Sequence, residues 1–142
     1  MKDGHILLVE DSENDIELTL AALAKHIANE VKVARDGAEA LDYLYRRGAY
    51  ASRADGAPAL VMLDLKMPKV DGLEVLRTIK ADPVLKSIPV VVLTSSREQR
   101  DLVESYERGV NAYVVKPVEF EKFLNAVKQL GLFWVLLNEP PP

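Results

Sequence analysis

The chain has 142 residues, 49% hydrophobic and 28% charged, with a formal net charge of −4. That is a normal balance for one domain with a single full core. The absence of cysteine excludes disulfides, thiolate metal sites and cysteine nucleophiles. Without clustered Lys and Arg there is no general nucleic-acid surface, and no apolar run is long enough for a membrane span. No signal-peptide core precedes the first apolar run, so the chain is read as cytoplasmic.

His5 to Val9 predicts a short buried strand, followed by the acidic cluster Glu10-Asp11-Ser12-Glu13-Asn14-Asp15 with its helix-capping residues. Ile16, Leu20, Leu23 and Ile27 then mark one helical face. Val31 to Ala34 predicts a second strand. Asp36-Gly37 introduces a helix carrying Ala40, Leu41, Leu44 and Tyr45, ending near Gly48, and residues 49–58 form a long loop of small and polar residues. Ala59 to Leu63 runs without polar alternation into Asp64, as expected of a strand buried on both faces.

Asp71-Gly72 opens a third helix that stops at Asp82-Pro83. Val90 to Leu93 is a fourth strand ending in Thr94-Ser95-Ser96. Arg97 to Arg108 reads as a more polar fourth helix closed by Gly109. Ala112 to Val115 is a fifth strand ending in Lys116-Pro117, and Val118 to Leu130 a fifth helix. Strands alternating with helices predict a three-layer α/β domain around a parallel sheet. For five strands the default is the flavodoxin-like order 2-1-3-4-5. Residues 1–131 form the domain and 132–142 a tail.

In such sheets ligands bind at the carboxyl ends of the strands. There the sequence places Glu10 and Asp11, Asp64, Thr94 and Lys116. Each has an ordinary reading alone: a turn residue for Asp64, helix N-terminal charges for Glu10 and Asp11, a strand-end hydroxyl for Thr94, a solvated lysine for Lys116. Together they are chemically matched. Three carboxylates in one crevice either rise in pKa or gather a cation, and all-oxygen ligation favours Mg²⁺ or Ca²⁺. A carboxylate nucleophile with a divalent cation, a lysine and a hydroxyl suits phosphoryl transfer, with Asp64 becoming an acyl phosphate.

These residues resemble the receiver domain of two-component response regulators over about residues 4 to 130. The resemblance rests on Glu10-Asp11, on Val61-Met62-Leu63-Asp64 with Met67-Pro68 and Asp71-Gly72, on Leu93-Thr94-Ser95, and on Tyr113-Val114-Val115-Lys116-Pro117. It implies that Asp64 is the phosphoacceptor. It implies that Glu10, Asp11, Asp64 and the backbone carbonyl of Lys66 hold Mg²⁺, with Mn²⁺ as a substitute. Lys116 would bind the phosphoryl group beside a cis bond to Pro117. Thr94, Ser95 and Tyr113 would form the switch that reports phosphorylation, and Lys66 and Ser96 would occupy positions that influence acyl-phosphate lifetime.

The loop 49–58, the Leu85-to-Pro89 stretch and the tail with Phe133, Trp134, Leu136 and Leu137 resemble stand-alone regulators that partner bacterial phytochrome histidine kinases. That implies a histidine kinase partner, a homodimer through the last helices and tail, and no DNA-binding output domain. The tail's alternative is packing on its own domain. A haloacid-dehalogenase-type phosphatase would need an aspartate where Lys66 stands. A flavodoxin would not place Glu10-Asp11-Ser12-Glu13 at its phosphate loop. A receiver acting by contacts alone would not require the full acidic pair, Asp64, Thr94 and Lys116. His5 reads as strand entry and His26 as a helix C-terminal cation site.

Overall fold

The apolar runs pair as β1 (Ile6–Val9), β2 (Val31–Ala34), β3 (Leu60–Asp64), β4 (Val90–Thr94) and β5 (Tyr113–Val115) in a computed structural model that describes residues 4–24, 26–65, 71–95 and 112–130. All neighbours are parallel and the order is β2-β1-β3-β4-β5. The connecting helices are α1 (Glu13–Ala24), α2 (Gly37–Tyr45), α3 (Gly72–Ala81) and α4 (Phe120–Gln129). The helix expected over Arg97–Arg108 lies outside the described residues, as do Lys66, Ser96 and the tail.

Strand alternation divides the core into two layers. Leu7, Val9, Val61, Leu63, Val90 and Val92 face α2 and α3. Ile6, Leu8, Leu60, Met62, Val91 and Leu93 face α1 and α4. The central strands β1, β3 and β4 are buried at every residue, which is why they read as unbroken apolar runs. At the edges, β2 and β5 alternate with partly exposed residues.

Two Asp-Gly pairs start helices. Asp36 accepts from the Glu39 N–H at 2.7 Å and Asp71 from the Glu74 N–H at 2.9 Å. Gly72 has a further reason to be glycine. Its N–H donates to the Leu65 carbonyl at 3.1 Å, and a Cβ there would stand 2.1 Å from the Asp64 carbonyl oxygen. The start of α3 is therefore pressed against the end of β3. Gly72→Ala is expected to destabilise the fold by about 1–3 kcal/mol, as overpacking against backbone does. Urea unfolding measures it, and an unchanged midpoint would contradict the close approach.

The segment after α2 departs from expectation. The helix stops at Tyr45, because Arg46 takes up the left-handed region (φ 55) and its guanidinium donates to the Arg53 and Asp55 carbonyls. Gly48 (φ 59) starts a 3₁₀ turn, Gly48–Tyr50, within the expected loop. Arg53, with only 7% of its side chain exposed, donates to the Tyr43 carbonyl and lies 4.0 Å over the Tyr43 ring. The loop is thus pinned to α2 by polar bonds rather than by apolar periodicity.

His5 is more than strand entry. It is buried, its Nε2 shares a 2.6 Å hydrogen bond with the Tyr43 hydroxyl, and its Nδ1 is 3.6 Å from Asp55. Burial lowers its pKa below the ordinary 6.5, although Asp55 pulls the other way. The folded protein therefore holds this proton less tightly than the unfolded chain does. The stability this contributes is complete above pH 6.5 and is lost as pH falls through it. Thermal midpoints should fall more steeply with acidification in the parent than in His5→Gln. Parallel curves would remove His5 as the cause. His26 stacks on Phe120, with ring centroids 3.8 Å apart.

Candidate functional site

The register delivers the polar residues to one edge. Val9 pairs with Leu63, so Glu10 and Asp64 emerge side by side. Thr94 pairs with Val115, and the Lys116 N–H donates to the Thr94 carbonyl at 2.8 Å. The topology reverses between β1 and β3. The crossover to β2 runs over one face through α1, and the crossover to β4 runs over the other through α3, so a crevice opens where those strands end.

Glu10 is fully buried, Asp64 is 3% exposed and Asp11 is exposed. One carboxylate oxygen of each lies within 4.8 Å of the others. Burial and the hydrogen bond and charge of Asp64 raise the Glu10 pKa to about 7, against the pull of Lys116. Uncompensated negative charge is the defining property of this crevice. A hard divalent cation with oxygen ligands would relieve it, so the donor set fits Mg²⁺.

Lys116 projects into the same space with its side chain 18% exposed. Its Nζ donates to Glu10 Oε1 at 3.1 Å and to Asp15 Oδ2 at 3.0 Å, and lies 3.4 Å from Asp64 Oδ2. Burial works against the ammonium charge, but the bond to Asp15 and the charges of Asp64 and Glu10 outweigh it and hold the pKa above the usual lysine value. The Lys116–Pro117 peptide is cis.

Thr94 is fully buried and its hydroxyl has no hydrogen-bond partner among the described residues. Leaving such a group unpaired costs about 1–3 kcal/mol, so a hydroxyl here suits an acceptor that arrives later. Ser95 is exposed, and Tyr113 packs partly buried against the α2–α3 layer. Glu10, Asp11, Asp64 and Lys116 meet in one crevice. The carbonyl of Lys66 and the tail residues Phe133, Trp134, Leu136 and Leu137 lie outside the described residues.

Asp15 was not singled out from the sequence as a site residue. It stood within an acidic cluster at a helix start, where acids are ordinary. Nothing local to it announces a lysine 101 residues later.

The model of the response regulator receiver domain family matches residues 6–128. The structure is similar to that of the bacteriophytochrome response regulator AtBRR, at 64% identity and a TM-score of 0.92, covering 98% of this chain and 100% of that one. The sequence is 42% identical to response regulator Rcp1 of Synechocystis sp. over 92% of this chain and 88% of that protein. Rcp1 has been crystallised in a Mn²⁺-bound form, at 41% identity and a TM-score of 0.73, covering 93% of this chain and 94% of that one. The structure of the phosphorylated cyanobacterial phytochrome response regulator RcpA matches at 44% identity and a TM-score of 0.74, again covering 93% and 94%. Strand-end acids, a buried hydroxyl and a shared lysine at the switch point of a 2-1-3-4-5 sheet, together with these matches, place this chain in the response regulator receiver domain family.

Proposed function

We propose that Asp64 accepts a phosphoryl group from the phosphohistidine of a sensor histidine kinase, and that the acyl phosphate switches a protein-interaction surface. The observation that carries this is the Asp64 carboxylate, 3% exposed at the end of β3, facing the Lys116 ammonium at 3.4 Å with Glu10 and Asp11 alongside. A carboxylate oxygen of Asp64 attacks phosphorus, the N–P bond of the donor imidazole breaks, and the electron pair returns to the ring nitrogen. Lys116 would bind a phosphoryl oxygen by a charge-assisted hydrogen bond.

Receiver domains bind Mg²⁺, and the trio Glu10, Asp11 and Asp64 fits that ion. When bound there, the ion neutralises charge on the transferring oxygens. Thr94 is the acceptor's counterpart: its buried hydroxyl could donate to a phosphoryl oxygen on Asp64, and Tyr113 would respond on the neighbouring strand. The change at Asp64 is then read as a two-state shift of the β4–β5 side. On this reading the protein is a signalling switch that catalyses only its own phosphorylation and slow dephosphorylation.

The kinase partner is read from relatives whose names tie them to phytochromes. A phytochrome histidine kinase is the donor we favour, with the protein acting in the cytoplasm. Among the described residues no helix is long and apolar enough to cross a membrane.

With Mg²⁺ and acetyl phosphate, intact mass should rise by one phosphoryl group, located on Asp64, and EDTA should prevent it. Failure with every donor and kinase tried, or label elsewhere, would overturn the reading. A homodimer formed through the last helices and residues 132–142 is part of the same proposal. Sedimentation of the chain cut after Gly131 should then show a monomer where the parent shows a dimer, and equal masses would refute it.

A further inference from the structure

Asp15 lies outside the acidic trio yet makes the shortest contact to Lys116, at 3.0 Å against 3.1 Å for Glu10 and 3.4 Å for Asp64. The local structure explains why its carboxylate is available. Ser12 caps α1, its Oγ accepting from the Asp15 N–H at 3.2 Å. In the reciprocal capping box the acid three residues after the cap turns back to the cap's own N–H. Here that N–H donates instead to Glu10 Oε2 at 3.3 Å. The Asp15 side chain is released from capping and reaches Lys116. The other acid of the same turn, Glu13, is engaged by Arg35 at 3.2 Å on the surface.

The three carboxylates around Lys116 are not equivalent. Glu10 and Asp64 belong to the set that fits a divalent cation, and their oxygens are shared between that role and the ammonium. Asp15 has no such second role among the described residues. We propose that Asp15 is the positioning residue for Lys116: it retains the ammonium at the crevice when the metal site and the phosphoryl group claim Glu10 and Asp64. The consequence for phosphoryl transfer rests on the Asp64 reading above, but the anchoring of Lys116 does not. Among the described residues Asp15 is not in the set that fits the metal and its carboxylate meets Lys116, so its influence passes through Lys116.

The test follows Lys116 directly and then the rate. In protein labelled with ¹⁵N-lysine and saturated with Mg²⁺, the Lys116 ammonium signal, assigned by its absence in Lys116→Arg, should be visible in the parent and lost in Asp15→Asn. Uptake from acetyl phosphate should slow about fivefold in Asp15→Asn, the scale of a partly exposed charge pair. In a Lys116→Ala background the same substitution should add no further slowing. A Lys116 signal that is absent from the parent, or unaltered by Asp15→Asn, overturns the proposal. Equal slowing in both backgrounds also overturns it and makes Asp15 a helix-start residue only. A parent that takes up no phosphoryl group, with the Lys116 signal still lost in Asp15→Asn, would refute the phosphoacceptor reading and leave the anchoring intact.

Discussion

Asp64→Asn is expected to abolish phosphoryl uptake while leaving the protein folded. The amide keeps the shape of the carboxylate at a position 3% exposed, so packing at the end of β3 survives. It has no anionic oxygen to attack phosphorus. Stability without metal should change little. The ion pair with Lys116 is lost, but so is the repulsion that helps to raise Glu10.

The response to Mg²⁺ should weaken in the same variant, because one carboxylate of the trio is gone. An ion present at a hundred times its Kd stabilises a fold by about 2.7 kcal/mol, and tenfold weaker binding at that concentration reduces this to about 1.4 kcal/mol. Intact mass after incubation with acetyl phosphate checks the first effect, and urea unfolding with and without Mg²⁺ checks the second. Uptake at the parent's rate in Asp64→Asn would move the phosphoacceptor elsewhere.

Lys116→Ala is expected to damage both the reaction and the apo fold, with only the fold rescued by metal. The ammonium is the positive charge set among Glu10, Asp15 and Asp64. On the proposed role its removal takes away the donor to the transferring group, a loss of about 100-fold or more in uptake rate. It also leaves Glu10, fully buried and already raised to about 7, beside Asp64 with no other cation on them among the described residues. Removing one partner of a buried pair costs about 3–5 kcal/mol, and Lys116 is partly exposed. Glu10 can also take up a proton, so a loss of about 1–3 kcal/mol is expected here.

A divalent cation at the trio supplies the missing positive charge, so saturating Mg²⁺ should restore much of the stability. It cannot replace an N–H donor, so uptake should stay slow. Unfolding free energies and uptake rates measured on one preparation decide this. Full stability without Mg²⁺, or full uptake with it, would contradict the balance of charge drawn here.

Much of this was visible in the chain before folding. Unbroken apolar runs identified the central strands, because burial on both faces removes polar alternation. Asp36-Gly37 and Asp71-Gly72 marked helix starts through capping chemistry that acts over three residues. Features held by polar bonds were less legible. Arg46 ended α2 before Gly48 because carbonyls of the following loop hold its guanidinium. The His5–Tyr43 bond spans 38 positions and leaves no periodic trace.

The sequence by itself determined the kinds of groups that stand at strand ends: acids after β1, Asp64 after β3, a hydroxyl after β4 and a lysine after β5. Local hydrophobic pattern is sufficient for that, since it marks where each apolar run stops. Only the tertiary structure decided which of these groups meet. Lateral strand order is set by how the two core layers close over the sheet, and a one-dimensional pattern does not encode it. Closure brings Lys116 onto Glu10 across 106 residues and onto Asp15 across 101, and it leaves the Thr94 hydroxyl buried without a partner among the described residues.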